Sequence, residues 1–236
     1  MNPVIIKTED GSDTLFVSEL GEHYHSTFGA IQESQHVFLQ AGFKHCLQSD
    51  IRVLEIGFGT GLNCYLTLLE GLSSGKNVWY SAIEKFPLPE EVWKELEFGH
   101  HFPDSNPEWF SLIHQAQWNG EAEIHPQFIL NKIESDLLDM GWDKLPFVDL
   151  VYFDAFSPEK QPELWSRSIF EMIFDRLNSD GILVTYCAKG DVRRTLQSVG
   201  FEVERIPGPP GKREMIRATK RTGLVSTCSR PVTNTK

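Results

Sequence analysis

The run Val53-Leu54-Glu55-Ile56-Gly57-Phe58-Gly59-Thr60-Gly61-Leu62-Asn63 constrains this chain more than any other stretch. A short apolar strand breaks into three alternate glycines and passes straight into a helical pattern. Glycine reaches positive φ and has no Cβ, so the backbone can turn sharply there and pass within van der Waals distance of a ligand. Strand, glycine turn and helix in that order predict an open α/β sheet that holds a ligand at the carboxyl edge of its strands. A tight β-to-α turn with no ligand would use the same glycines, so the neighbouring elements must decide between the two.

The spacing Gly-x-Gly-x-Gly differs from the Gly-x-Gly-x-x-Gly of dinucleotide binders, and an acid, Glu55, stands before the first glycine. That is the arrangement of S-adenosylmethionine (SAM) methyltransferases, and it makes Glu55, Gly57, Gly59, Gly61 and Asn63 candidate cofactor-binding residues. From Ile51 onward, apolar runs alternate with helical patterns, as in a parallel sheet covered by helices. Strands are predicted at Arg52–Ile56, Asn77–Ile83, Glu123–Leu130, Val148–Asp154, Gly181–Cys187, Phe201–Arg205 and Glu214–Thr219. Helices are predicted at Leu62–Gly71, Leu88–Phe98, Pro107–Gln115, Ile133–Met140, Pro162–Leu177 and Gly190–Val199, the last ended by Gly200. Ahead of them, Val4–Lys7 and Thr14–Val17 flank a turn, and a helix is predicted over Ala30–Gln48. The expected fold class is therefore α/β, a mostly parallel seven-stranded sheet covered by helices. Residues 1–50 are expected to be an N-terminal hairpin and helix extension, 51–221 the methyltransferase domain, and 222–236, rich in Ser, Thr and Pro, a disordered tail.

Composition removes several function classes. No stretch has the apolar length of a membrane span, and the polar start lacks a secretory pattern, so a cytoplasmic location is expected. Cys46, Cys64, Cys187 and Cys228 lie far apart, which predicts reduced thiols rather than a disulfide framework or zinc knuckle. His23, His25 and His36 cluster but lack acidic or thiol partners at ligand spacing, so no metal is expected. The net charge is −11, yet Lys189–Arg221 carries nine Lys/Arg against four acids, +5, leaving −16 for the remainder. Such a segment is either a solvated charged face or a local patch for nucleic-acid phosphates.

Two acids leave strands on the predicted ligand edge. Glu84 ends the second strand beside the glycine loop, where a carboxylate accepts hydrogen bonds from ribose hydroxyls. Asp154 ends the fourth, in Phe153-Asp154-Ala155-Phe156-Ser157-Pro158. Methyl transfer from a sulfonium is an in-line displacement, so the protein chiefly aligns a nucleophile and excludes water. An amine attacks only when uncharged. Asp154 can accept an amine N–H, aim the lone pair and stabilise the charge that develops on nitrogen; removal of the proton by the same group stays open. Phe156, Trp165 and Tyr186 either wall the pocket and stack on a base or belong to the core.

Five separated segments resemble one family. Glu33-Ser34-Gln35-His36-Val37-Phe38, Glu55 to Asn63, Ile83-Glu84-Lys85-Phe86-Pro87-Leu88, Phe153 to Pro158 and Lys212-Arg213-Glu214-Met215 are similar, in the same order, to the MnmC-like methyltransferases. These are the methyltransferase part of bifunctional tRNA-modifying proteins and their stand-alone MnmD relatives. The resemblance implies a Rossmann-like class I SAM-dependent methyltransferase, with SAM as cofactor and tRNA as partner, and methylation of a wobble 5-aminomethyl(-2-thio)uridine to its 5-methylaminomethyl form. It also implies that Glu84 and the glycine loop hold SAM, that Asp154 lies beside the acceptor amine, and that Arg193, Arg194, Lys212 and Arg213 face tRNA. Relatives often carry Gly-Asp after the third strand. The alignment puts Asn131-Lys132 there, making Asn131 the candidate for the adenine amino group. The chain is expected to lack the FAD-dependent oxidase of the bifunctional proteins and to need an upstream enzyme that supplies the amine. Rival readings are a small-molecule amine methyltransferase and an idle SAM-binding partner of another modifying enzyme.

Overall fold

The computed structural model describes residues 3–221, so the expectation for the tail at 222–236 lies outside them. The chain opens with a three-stranded antiparallel sheet, β1 (Val4–Lys7), β2 (Asp13–Val17) and β3 (Glu22–His23). After α1 (Ala30–Ser34) come β4 (Asp50–Ile56), α2 (Leu62–Ser73), β5 (Asn77–Glu84), α3 (Glu90–Trp93) and α4 (Trp109–Gln115). β6 (Gly120–His125), β7 (Phe128–Glu134), β8 (Val148–Phe153), α5 (Arg167–Arg176), β9 (Leu177–Thr185), α6 (Gly190–Val199), β10 (Glu202–Pro207) and β11 (Glu214–Thr219) complete it. The main sheet runs β10-β11-β9-β8-β4-β5-β7-β6, with β7, β5, β4, β8 and β9 mutually parallel. β4 is central, and the chain leaves it first toward β5 and later toward β8. That reversal creates the crevice in which open α/β sheets bind ligands.

The period of two along the strands sorts the core into two layers. Val53, Tyr80, Ala82, Leu150 and Tyr152 face α2 and the N-terminal segment, sharing one cluster with Leu15, Phe38 and Tyr65. Leu54, Ile56, Ile83, Val151 and Phe153 face the other way, onto Phe170 of α5 and Leu196 of α6. Glu55 falls in phase with Val53 and so enters the α2 layer, where it is 0% exposed.

Among the described residues the main sheet has eight strands, not the predicted seven. The predicted strand Glu123–Leu130 spans Pro126, which has no N–H for a ladder and turns the chain instead between β6 and β7. Ile133 and Glu134, read as the start of a helix, therefore finish β7, and no helix forms over Ile133–Met140. The predicted helix Leu88–Phe98 shrinks to α3 because Pro89 stays extended at its start. The predicted helix Ala30–Gln48 widens to a π-turn at Gln35–Gln40 and breaks at Gly42, where a Cβ would meet the Phe38 carbonyl oxygen at 2.6 Å. α6 and β11 match their predicted bounds, and Gly200 closes α6 at φ 119°. No helix among the described residues is long and apolar enough to cross a membrane.

Candidate active site

The carboxyl ends of β4, β5, β7 and β8 border one cleft of about 590 Å³, within the usual range for small-molecule sites. Its floor is the loop after β4, where Gly57, Gly59 and Gly61 have φ of 88°, 52° and 73°. Gly57 is needed for space as well as for torsion, since a Cβ there would lie 2.7 Å from the Asp154 carbonyl oxygen. Glu84 closes β5 and accepts the Gly59 N–H at 3.1 Å and the Phe86 N–H at 2.8 Å. Burial pushes its carboxyl up, against the pull of those N–H donors.

Asp154 follows β8, and its N–H continues the ladder to the Ile56 carbonyl at 2.9 Å. Its Oδ2 accepts from the Asn63 amide at 2.8 Å, and the same amide nitrogen donates to Glu55 Oε1 at 2.9 Å. Burial, with help from the Glu33 charge, raises the Asp154 pKa to about 7, opposed by Asn63 and the Lys212 ammonium. Phe156 and Tyr186 line the cleft, and the Tyr186 hydroxyl donates to the Ala155 carbonyl at 2.9 Å. Trp165 is core, packed 4.8 Å from Phe153, with its indole N–H on the Phe156 carbonyl.

Four sequence expectations are corrected here. Glu55 is buried beneath Asn63 and does not line the cleft. Gly61 faces His114 and the Phe58 ring, each 3.0 Å from a would-be Cβ, so it serves packing rather than the cleft. Asn131 pairs in mid-strand with Ser81 and Glu121, and the residues that leave β7 into the cleft are Ser135 and Asp136. The error came from ending the third strand at Leu130, four residues short of its true end. Asp136 accepts from Lys85 at 2.5 Å, and that ammonium holds its carboxyl below the usual range. Finally, of the four basic positions only Lys212 lines the cleft. It is turned inward, 2.6 Å from the buried Glu33 and 4.0 Å from the Tyr186 ring centroid. Arg194 pairs with Asp191 on α6, and Arg193 and Arg213 form no ion pair among the described residues.

The N-terminal segment brings further groups toward the site. β3 pairs with β2 and carries Tyr24 over the glycine loop, where a Cβ on Gly59 would lie 3.0 Å from the Tyr24 ring. The ring meets Phe156 edge-on at 5.2 Å, and burial beside Glu84 raises its hydroxyl pKa. His25 is buried between the hydroxyls of Thr14 and Thr60, with burial pushing its pKa down to about 4. His36 bonds the Pro207 carbonyl. Among the described residues, no group of three His, Cys, Asp or Glu is arranged to hold a metal ion.

The site fits an adenosyl group. Gly57 and Gly59 backbone borders the cleft, and Glu84 at the end of β5 and Asp136 just past β7 put carboxylates on its wall. Sheet order, glycine loop and cleft together define a class I SAM-dependent methyltransferase. Residues 106–221 match the family model described as S-adenosyl-L-methionine-dependent methyltransferase. The chain is 31% identical over 219 residues to the tRNA 5-methylaminomethyl-2-thiouridine biosynthesis bifunctional protein MnmC of Aeromonas hydrophila, covering 84% of this chain and 33% of that one. The Leptospira interrogans protein of the same name is 30% identical over 82% of this chain and 32% of its own length. The crystal structure of MNMC2 from Aquifex aeolicus superposes with a TM-score of 0.73 at 26% identity, over 94% of this chain and 72% of that one. The chain belongs to the MnmC-like family of SAM-dependent methyltransferases. It spans about a third of the length of the curated relatives it matches.

Proposed function

We propose that this chain transfers the methyl group of SAM to the primary amine of a wobble 5-aminomethyl(-2-thio)uridine in tRNA, forming the 5-methylaminomethyl base. The observation that carries the reading is Asp154, a carboxyl with a pKa raised to about 7 between a glycine loop and an aromatic-walled pocket. Similarity to proteins of tRNA 5-methylaminomethyl-2-thiouridine biosynthesis supports the choice of amine.

In this reading Gly57 and Gly59 run beside the cofactor, Glu84 accepts from the ribose hydroxyls, and Asp136 accepts from the adenine amino group. When bound, SAM supplies an electrophilic methyl carbon. Asp154 accepts an N–H of the acceptor, points its lone pair along the transfer line, and stabilises the positive charge that grows on nitrogen. Tyr24, Phe156 and Tyr186 exclude water and give the uracil ring aromatic surface. Arg193 and Arg213 supply cations toward the tRNA backbone, with Arg194 and Lys212 in secondary roles. The acceptor already carries its amine, so an upstream tRNA-modifying step that exposes it is part of the proposal.

A small-molecule amine is the second reading, favoured by the engagement of Lys212 and Arg194 in intramolecular ion pairs. Labelled methyl transfer from SAM separates them. With aminomethylated tRNA, kcat/KM is expected to fall on the order of 10- to 100-fold between about 50 and about 200 mM salt, as the loss of a few phosphate contacts requires. A rate on tRNA that ignores salt, or no transfer to it, sinks the tRNA assignment.

A further inference from the structure

The Asn63 amide donates to two carboxyls, Glu55 and Asp154. Asn63 stands in the first turn of α2, and Glu55 lies on β4 beneath it, so the strand, loop and helix unit itself sets their spacing. One nitrogen donates to Glu55 Oε1 at 2.9 Å and to Asp154 Oδ2 at 2.8 Å, which uses both of its protons. Asn63 Oδ1 is buried without a hydrogen-bond partner among the described residues, and Asp154 itself lines the cleft. A cofactor ligand would turn its polar atoms toward the cleft. Asn63 spends both donors on protein carboxyls instead.

We infer that Asn63, anchored by Glu55, is a positioning residue for the transfer step: it holds one oxygen of Asp154 so that the other faces the acceptor amine. This rests on the reading of Asp154 as the group that meets that amine. Glu55 suits an anchor because it is fully buried and presents Oε1 to the Asn63 amide at 2.9 Å; burial pushes its carboxyl upward. Donation by Asn63 favours the ionised form of Asp154. The titratable groups facing Asp154 from other elements are Glu33 of α1, which opposes ionisation, Lys212, which favours it, the Glu55 carboxyl of β4, which interacts with it, and the Tyr186 hydroxyl. With Asn63 gone, Glu33 and burial would dominate.

The test combines carboxyl NMR titration of Asp154, which needs no acceptor, with the pH dependence of kcat and calorimetric SAM binding. In Asn63→Leu the Asp154 midpoint is expected to rise by about one to two pH units, the size set by one hydrogen bond to a charged group. The acid limb of kcat should move with it, kcat at neutral pH should fall about 10- to 100-fold, and SAM affinity should stay within about threefold. Glu55→Leu should produce the same pattern in weaker form, and Glu55→Gln, which keeps an acceptor oxygen for Asn63, should restore the midpoint lost in Glu55→Leu. An unmoved Asp154 midpoint with SAM binding weakened tenfold or more would overturn the inference and make Asn63 a cofactor ligand. A shifted midpoint in an enzyme whose wild type never methylates tRNA would leave the Asn63 contact standing and reject the substrate reading.

Discussion

Asp154→Ala is expected to lower kcat on aminomethylated tRNA by about 10³-fold, the middle of the range for loss of a positioned acid or base, while SAM binding stays within a few-fold of wild type. The reasoning is local. The Asp154 backbone stays tied to Ile56 through its N–H, so the alanine variant keeps the loop and loses only the carboxyl. What disappears is the acceptor that orients the amine and balances its developing charge. The sign of the pH dependence follows from the direction of the shift. Burial raises the Asp154 pKa to about 7, so below that pH the group is protonated and no longer carries the negative charge that balances the charge growing on nitrogen. The rate of wild type should therefore fall as pH drops through about 7, and the residual rate of the variant should lack that component. Single-turnover methyl transfer with calorimetry on the same preparations measures both. A variant with nearly full kcat would remove Asp154 from the chemistry.

Gly57→Ala is expected to act on stability and cofactor together. The φ of 88° is costly for any residue with a Cβ, and the added carbon would lie 2.7 Å from the Asp154 carbonyl oxygen. Backbone strain and overpacking each cost about 1–3 kcal/mol, and both fall on the loop that borders the cleft. The expected loss of roughly 3 kcal/mol corresponds to a Tm about 6–12 °C lower for a domain of this size. Relief of the clash must push the glycine loop and the Asp154 segment apart, so SAM affinity should drop by at least about tenfold, or about 1.4 kcal/mol. Gly75→Ala is the comparison, because its Cβ would meet nothing within 4 Å although its φ is 69°. Equal effects from the two substitutions would mean that torsion alone matters and that the close approach of loop and Asp154 does not.

The elements legible from sequence were those whose signals are local. β11 and α6 were read to the residue because apolar period, helix start and a terminal glycine agreed. β6 and β7 were fused because the apolar run on both sides of Pro126 outweighed the missing donor, and that slip set Asn131 just past a strand end when it lies in mid-strand. Glu84 and Asp154 were legible as acids at strand ends. Glu55 was legible as an acid beside glycines but not as a buried one, since its partner Asn63 lies a full strand-to-helix turn away. Tyr24 gave no local sign, and Glu33 stood out only as part of the family-like segment Glu33 to Phe38, with no role attached. They reach the cleft only because β3 adds two residues to the small N-terminal sheet and because α1 meets Lys212 across the fold. The basic segment was visible in the charge count, but its count overstated its free charge. Arg205, Arg217 and Arg221 are paired with Glu214, Glu204 and Glu202.

The central claim is that this cleft moves a methyl group from SAM to an amine held at Asp154, and nucleoside analysis tests it most directly. The protein is incubated with SAM labelled in the methyl group and with tRNA bearing 5-aminomethyl(-2-thio)uridine; the tRNA is then digested and its nucleosides are resolved by mass spectrometry. The account predicts that the aminomethyl nucleoside converts to its methylaminomethyl form, with the label on the exocyclic nitrogen and conversion lost in Asp154→Ala. Label on a ring carbon or a ribose oxygen, or full conversion by Asp154→Ala, would contradict it.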